Sequence, residues 1–128
     1  MKYLGIDYGD SKIGLSLGDS ESGLAMPFKI IENGGFRKLL AEIFKIVEKE
    51  KIDKIVIGLP LNTRGKKSEQ TNKTKKFADQ LAEEVEQEVI LHDERFSSQQ
   101  AIKMRPGRRE DDLAASIMLQ DYLDSIKS

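Results

Sequence analysis

Cysteine is absent from the 128 residues, and histidine occurs once, as His92. Without cysteine there can be no disulfide, no thiolate zinc site and no cysteine nucleophile. A single imidazole leaves little room for a histidine-rich metal site, and a Ser/His/Asp triad would have to use His92. Any bound metal would therefore meet hard oxygen ligands, which favours Mg²⁺ or Mn²⁺. A large charge of one sign is also missing. The formal net charge is −1, so a nucleic-acid partner would have to be met by the distribution of charge rather than its total. No apolar run approaches the ~20 residues of a membrane helix. The first residues lack the basic start and small-residue cleavage site of a signal peptide, so a cytoplasmic location is expected.

What is present suits one folded domain spanning residues 1–128. The hydrophobic fraction is 38% and the charged fraction 34%, too apolar and too balanced for a disordered chain. Residues Lys2 to Asp7, Lys12 to Leu17 and Leu24 to Ile31 read as short strands joined by Gly/Asp/Ser turns. Asn33-Gly34-Gly35 breaks the chain. Phe36, Leu39, Leu40, Ile43, Phe44 and Val47 then recur at helical spacing, predicting an amphipathic helix to about Lys49. Ile52 to Leu59 reads as a buried strand, parallel because a helix precedes it. Asn62 to Thr74, polar and rich in Lys, reads as a loop leading into a helix carried by Phe77, Ala78, Leu81, Ala82 and Val85, and Val89-Ile90-Leu91 is a further buried strand. Ser97 is placed to cap a short helix to about Met104, which Arg105-Pro106-Gly107 ends. A last helix is expected from about Glu110 to Ile126, with Ala115, Met118 and Tyr122 on one face. The order implies an α/β fold: a mixed five-stranded sheet with helices on both faces.

Three acidic positions stand out. Asp7 ends an apolar run between Gly5 and Gly9, where an unpaired carboxylate is costly to ionise. Asp93-Glu94 follows the last strand, and Asp111-Asp112 opens the last helix, whose amino end favours ionised carboxylates. Singly, each has a plain reading: turn chemistry, a surface ion pair, and a helix-start acidic pair. Together they suit phosphodiester hydrolysis, in which carboxylates hold divalent ions against the charges of attacking oxygen, phosphorus and leaving oxygen.

Lys/Arg clusters accompany them. Arg64, Lys66, Lys67, Lys73, Lys75 and Lys76 crowd one stretch, offset there only by Glu69; Lys103, Arg105, Arg108 and Arg109 precede Asp111. Such a distribution could form a basic face for phosphate backbones, although solvated helix faces also carry Lys runs. Aromatic residues are few among them, so backbone or shape recognition is expected over base stacking. His92 could assist proton transfer, but a structural role is the plainer reading.

The chain resembles the YqgF-type family, known as pre-16S rRNA nucleases or Holliday junction resolvases. The matching segments are Gly5-Ile6-Asp7-Tyr8-Gly9 with Ile13-Gly14; Ile57-Gly58-Leu59-Pro60 with Gly65; Asp93-Glu94-Arg95-Phe96-Ser97-Ser98 with Ala101; and Asp111 with Ala114-Ala115 ahead of Leu119-Gln120-Asp121-Tyr122. The resemblance implies an RNase H-like three-layer fold with Asp7, Glu94 and Asp111 as catalytic, metal-binding carboxylates. The alanine pair and Leu-x-x-Tyr favour Asp111 over Asp112. Nucleic-acid contacts are expected from Lys12, Arg64, Lys66, Lys67, Arg95, Arg108 and Arg109. Lys12 stands where the family usually has arginine, keeping the charge without the bidentate phosphate geometry.

The resemblance thus implies an Mg²⁺- or Mn²⁺-dependent nuclease of the two-metal type, trimming the 5′ end of precursor 16S rRNA in ribosome biogenesis. The alternatives are a resolvase of four-way DNA junctions, which would need a dimer, and a non-catalytic nucleic-acid-binding module; monomer and homodimer both remain open. Actin-like kinases also open on an Asp-x-Gly hairpin, but they require a second domain that 128 residues would not supply.

Overall fold

The structure, a computed structural model, describes residues 1–60, 69–93 and 110–127, with the backbone alone at 110–112. Its elements are β1 (Lys2–Tyr8), β2 (Lys12–Asp19), β3 (Leu24–Glu32), α1 (Phe36–Glu50), β4 (Lys54–Leu59), α2 (Glu69–Glu84), β5 (Glu88–Asp93) and α3 (Glu110–Ile126). Short turns make β1, β2 and β3 an antiparallel meander, whereas β4 and β5 join β1 in parallel register. The sheet order β3-β2-β1-β4-β5 puts β1 at the centre of five strands.

Strand alternation builds the layers on either side. On one face Leu4, Ile6, Ile13, Leu15, Ile55 and Ile57 pack with Leu39, Ile43 and Ile46 of α1 and Phe77, Ala78 and Leu81 of α2. On the other, Tyr3 and Val56 pack with Met118, Leu119 and Leu123 of α3. The continuous apolar run Ile55-Val56-Ile57 is explained by this double burial. The expected mixed sheet with helices on both faces is the architecture found. Leu119 and Leu123 join Ala115 and Met118 in the buried face of α3, while Tyr122 is half-buried beside them.

Element ends differ in instructive ways. β2 runs to Asp19 and β5 to Asp93, beyond their apolar cores, because ladder hydrogen bonds are made by the backbone whatever the side chain. β4 starts at Lys54 rather than Ile52. Lys51 closes α1 in the left-handed conformation (φ 53°, ψ 54°), and the Ile52 N–H returns 3.0 Å to the Val47 carbonyl. Asp53 then ties to Lys2 through its N–H (2.8 Å to the Lys2 carbonyl) and its carboxylate (2.7 Å from the Lys2 N–H). The helix expected near 97–104 lies outside the described residues. Among the described residues, no helix is long and apolar enough to cross a membrane.

Candidate functional site

Asp7 is the penultimate residue of the central strand. It shares parity with Tyr3 and Gly5, which meet α3, so it belongs to the α3 face and is half-buried there. Its antiparallel partner on β2 is Gly14. On the other side the parallel pairing ends at Ile6–Ile57, and the next β4 position is Gly58. Neither of these two strand neighbours carries a side chain.

The position of α3 relative to Asp7 is set by close packing. A Cβ on Gly18 would lie 2.9 Å from Leu119 and 3.0 Å from Leu123, and one on Gly5 would lie 3.0 Å from the Leu119 Cβ. The Ser16 hydroxyl, on the strand position opposite Gly5, donates 2.9 Å to the Ala115 carbonyl. Positions 123, 119 and 115 therefore step along the sheet from Gly18 toward Asp7. One further helical turn reaches residue 111, at the amino end of α3 and the carboxyl edge of β1. The same edge holds the end of β5 at Asp93, one strand beyond β4.

Of the three carboxylates predicted for the site, Asp7 is seen whole. The backbone of Asp111 opens α3, and its side chain lies outside the described residues, as does that of Asp112. Glu94 also lies outside them, and so do Arg64, Lys66, Lys67, Arg95, Arg108 and Arg109. Among the described residues there is no group of three or more metal-ligating side chains. Lys12 is exposed at the start of β2. Lys73 is also exposed, but Asp10 from the β1–β2 turn pairs with it at 3.2 Å, a partner distant in sequence that a local charge count misses.

His92 has a structural setting. Its Nε2 lies 2.7 Å from Asp121 Oδ2, and its ring meets Tyr122 edge-on at 5.5 Å. Tyr122 in turn meets Tyr3 at 5.8 Å, and burial, with Tyr3 nearby, pushes its hydroxyl pKa up. Asp19 is a turn residue: its carboxylate accepts from the Glu21 N–H at 2.9 Å, and its carbonyl accepts from the Gly23 N–H at 2.8 Å.

The turn after Asp7 is held by side chains that sequence reasoning passed over. Gln70 Nε2 donates 3.1 Å to the Tyr8 carbonyl, and Asn33 Nδ2 donates 2.8 Å to the Gly9 carbonyl. Asn33 reads in sequence as part of a chain break and Gln70 as part of the polar loop to Thr74, whereas the helix already begins at Glu69. Only an amide within reach of two glycine-flanked carbonyls could have signalled either, and that proximity is tertiary.

The chain is similar to known proteins over nearly its whole length. Residues 1–125 match the family described as "RuvX: Holliday junction resolvase". A Rickettsia conorii protein named "Putative pre-16S rRNA nuclease" is 35% identical over 134 aligned positions, covering 98% of this chain and 87% of its own. A protein of the same name from Caldanaerobacter subterraneus is 37% identical, covering 100% and 99%. Among solved structures, Thermus thermophilus RuvC in complex with a Holliday junction substrate superposes with a TM-score of 0.61 at 13% identity, covering 98% of this chain and 96% of that one. The fowlpox virus Holliday junction resolvase gives 0.60 at 13%, covering 98% and 100%. At such identities these structures speak for the fold, which is RNase H-like.

Proposed function

We propose, from the premise that this chain belongs to the RuvX family of Holliday junction resolvases, that it is a metal-dependent nuclease. Its substrate in this reading is structured RNA, cut in the cytoplasm during 5′-end processing of precursor 16S rRNA. The reading is carried by the line of α3 contacts along the sheet, Leu119 against Gly5 and Ala115 against Ser16, which runs toward the end of β1 that holds Asp7. Full-length relatives named for this activity support the substrate class.

The donor chemistry fits Mg²⁺ or Mn²⁺. Asp7, Glu94 and Asp111 would supply only carboxylate oxygens, and the strand neighbours of Asp7, Gly14 and Gly58, add no side chain of their own. Divalent ions, two in this reading, stabilise negative charge on the attacking, phosphoryl and leaving oxygens. The chain's own residues do the rest. The helix dipole at the α3 amino end would suit a carboxylate at that position. Lys12, Arg64, Lys66, Lys67, Arg95, Arg108 and Arg109 would bind the phosphate backbone and orient it toward Asp7, with affinity that falls as salt rises.

A second reading, cleavage of four-way DNA junctions, is favoured by the description of the matching family. One assay separates them: cleavage of a labelled precursor-rRNA 5′ fragment and of a four-way junction, with Mn²⁺, Mg²⁺ or EDTA, beside Asp7→Asn. RNA cutting that EDTA abolishes and Asp7→Asn lowers on the order of a thousandfold is the expected result. Junction cutting alone would promote the resolvase. Full activity in Asp7→Asn would sink the metal site, and binding without cutting would leave a non-catalytic module.

A further inference from the structure

We infer that Gln70 and Asn33 are positioning residues for Asp7, a clamp on the strand end that follows it; the inference rests on the nuclease reading above. The strand end is paired on its β2 side as far as Tyr8–Ile13, but not on its β4 side. Pairing of β1 with β4 stops at Ile6–Ile57, two residues before β1 itself ends at Tyr8. Beyond that point the chain turns through Gly9, where a Cβ would lie 2.4 Å from the Lys12 carbonyl, so the turn is tight and tolerates no side chain.

Each residue of the segment after Asp7 is held from a distant part of the chain. The Tyr8 carbonyl accepts from Gln70 Nε2 at 3.1 Å, and the Tyr8 ring stacks on Phe77 at 4.5 Å with an interplanar angle of 16°. The Gly9 carbonyl accepts from Asn33 Nδ2 at 2.8 Å. The Asp10 carboxylate meets Lys73 at 3.2 Å, and the Ser11 carbonyl accepts from the Asn33 N–H at 2.9 Å. Asn33 is itself oriented, because its Oδ1 accepts from the Gly35 N–H at 3.1 Å. The first turn of α2 also bonds the end of β4, through Thr71 Oγ1 and the Pro60 carbonyl. Gln70 from α2 and Asn33 from the β3–α1 turn thus approach the same turn, and neither segment bears a proposed metal-binding carboxylate.

The chemical consequence follows from how sharply reaction rates depend on placement. A displacement of about 1 Å at a reacting group can cost on the order of 100-fold in rate. Side chains that orient ligands from outside typically contribute about 10–100-fold in metal affinity or activity. Both donors are neutral amides engaged on backbone carbonyls of the turn, so neither adds charge for phosphate binding. Their removal should therefore act on Asp7 placement and leave RNA affinity alone.

The test uses the full chain with Gln70→Met, a neutral substitution of similar shape that lacks the donor, and separately Asn33→Ala. Mn²⁺ affinity is read by electron paramagnetic resonance, which needs no turnover, and kcat and KM are read on the precursor-rRNA fragment. We expect each variant to weaken Mn²⁺ binding and lower kcat by about tenfold, with KM unchanged. The thermal midpoint should move by only a few degrees. Wild-type kcat and Mn²⁺ affinity in both variants, with Asp7→Asn defective, would overturn the clamp. Equal loss of kcat and RNA affinity would overturn it as well. Normal Mn²⁺ binding by Asp7→Asn would instead overturn the metal-site reading, and the clamp would then be judged on kcat against KM. Should Gln70→Met fail to fold, Asn33→Ala reads the same turn from the opposite side.

Discussion

The Ser16 hydroxyl donates across 99 residues to the Ala115 carbonyl at 2.9 Å, fixing α3 against the central strands one helical turn from Asp111. Gly5 makes this approach possible, since a Cβ there would fall 2.3 Å from Ser16 Oγ. Gly5→Ala is expected to destabilise the fold by about 1–3 kcal/mol through overpacking. Ser16→Ala, which removes the clashing oxygen, should cost less when introduced into Gly5→Ala than into the wild type. Urea denaturation of the four proteins in a double-mutant cycle measures this coupling. Strict additivity would mean that the helix shifts freely.

His92 and Asp121 join β5 to α3 at 2.7 Å on a part-exposed surface, beside Tyr122. His92→Gln should therefore lower stability by about 1 kcal/mol and leave the pH–rate profile of RNA cleavage unchanged. A profile that loses one limb in this variant would make His92 a proton-transfer group after all.

Lys51 holds a left-handed conformation (φ 53°) at the end of α1, where a side chain meets its own backbone unfavourably. Glycine avoids that contact at some cost in unfolded-state entropy. Lys51→Gly should raise stability by about 0.5–1 kcal/mol, read as a higher urea midpoint at unchanged slope. A lower midpoint would show that the lysine side chain supplies more than the strain removes.

Tyr122 is raised above the ordinary tyrosine value of 10.0 by burial first and by Tyr3 second, and Lys54 is raised by its hydrogen bond to Glu88. Below the unfolded value both states hold the tyrosine proton. Above it the unfolded chain ionises first, so stability falls as pH climbs toward the folded value. Lys54 acts with the same sign, since the folded chain keeps its proton longer. Wild type should lose stability relative to Tyr122→Phe between about pH 8 and about pH 11, measured by urea unfolding. A difference that does not change with pH would remove Tyr122 from the alkaline transition.

Most of the fold was legible in the residues themselves. Apolar alternation and helical spacing report which side of a segment is buried, and the Ile55-Val56-Ile57 run announced a strand covered on both faces. The absence of cysteine and the single histidine lead to the expectation of oxygen ligands for any bound metal. The family motif marks Asp7 and Asp111 as candidates for that chemistry. What the residues could not decide was which face and which neighbours each segment meets. That Asp7 faces α3 depends on the register of β1 and on the close approach at Gly5 and Gly18. That Asp10 neutralises Lys73, and that Gln70 and Asn33 reach the turn after Asp7, depends on the crossover to α2 and the β3–α1 turn. Local pattern reports the periodicity of burial along one segment; contacts between distant segments arise only when packing of the whole core sets their distances.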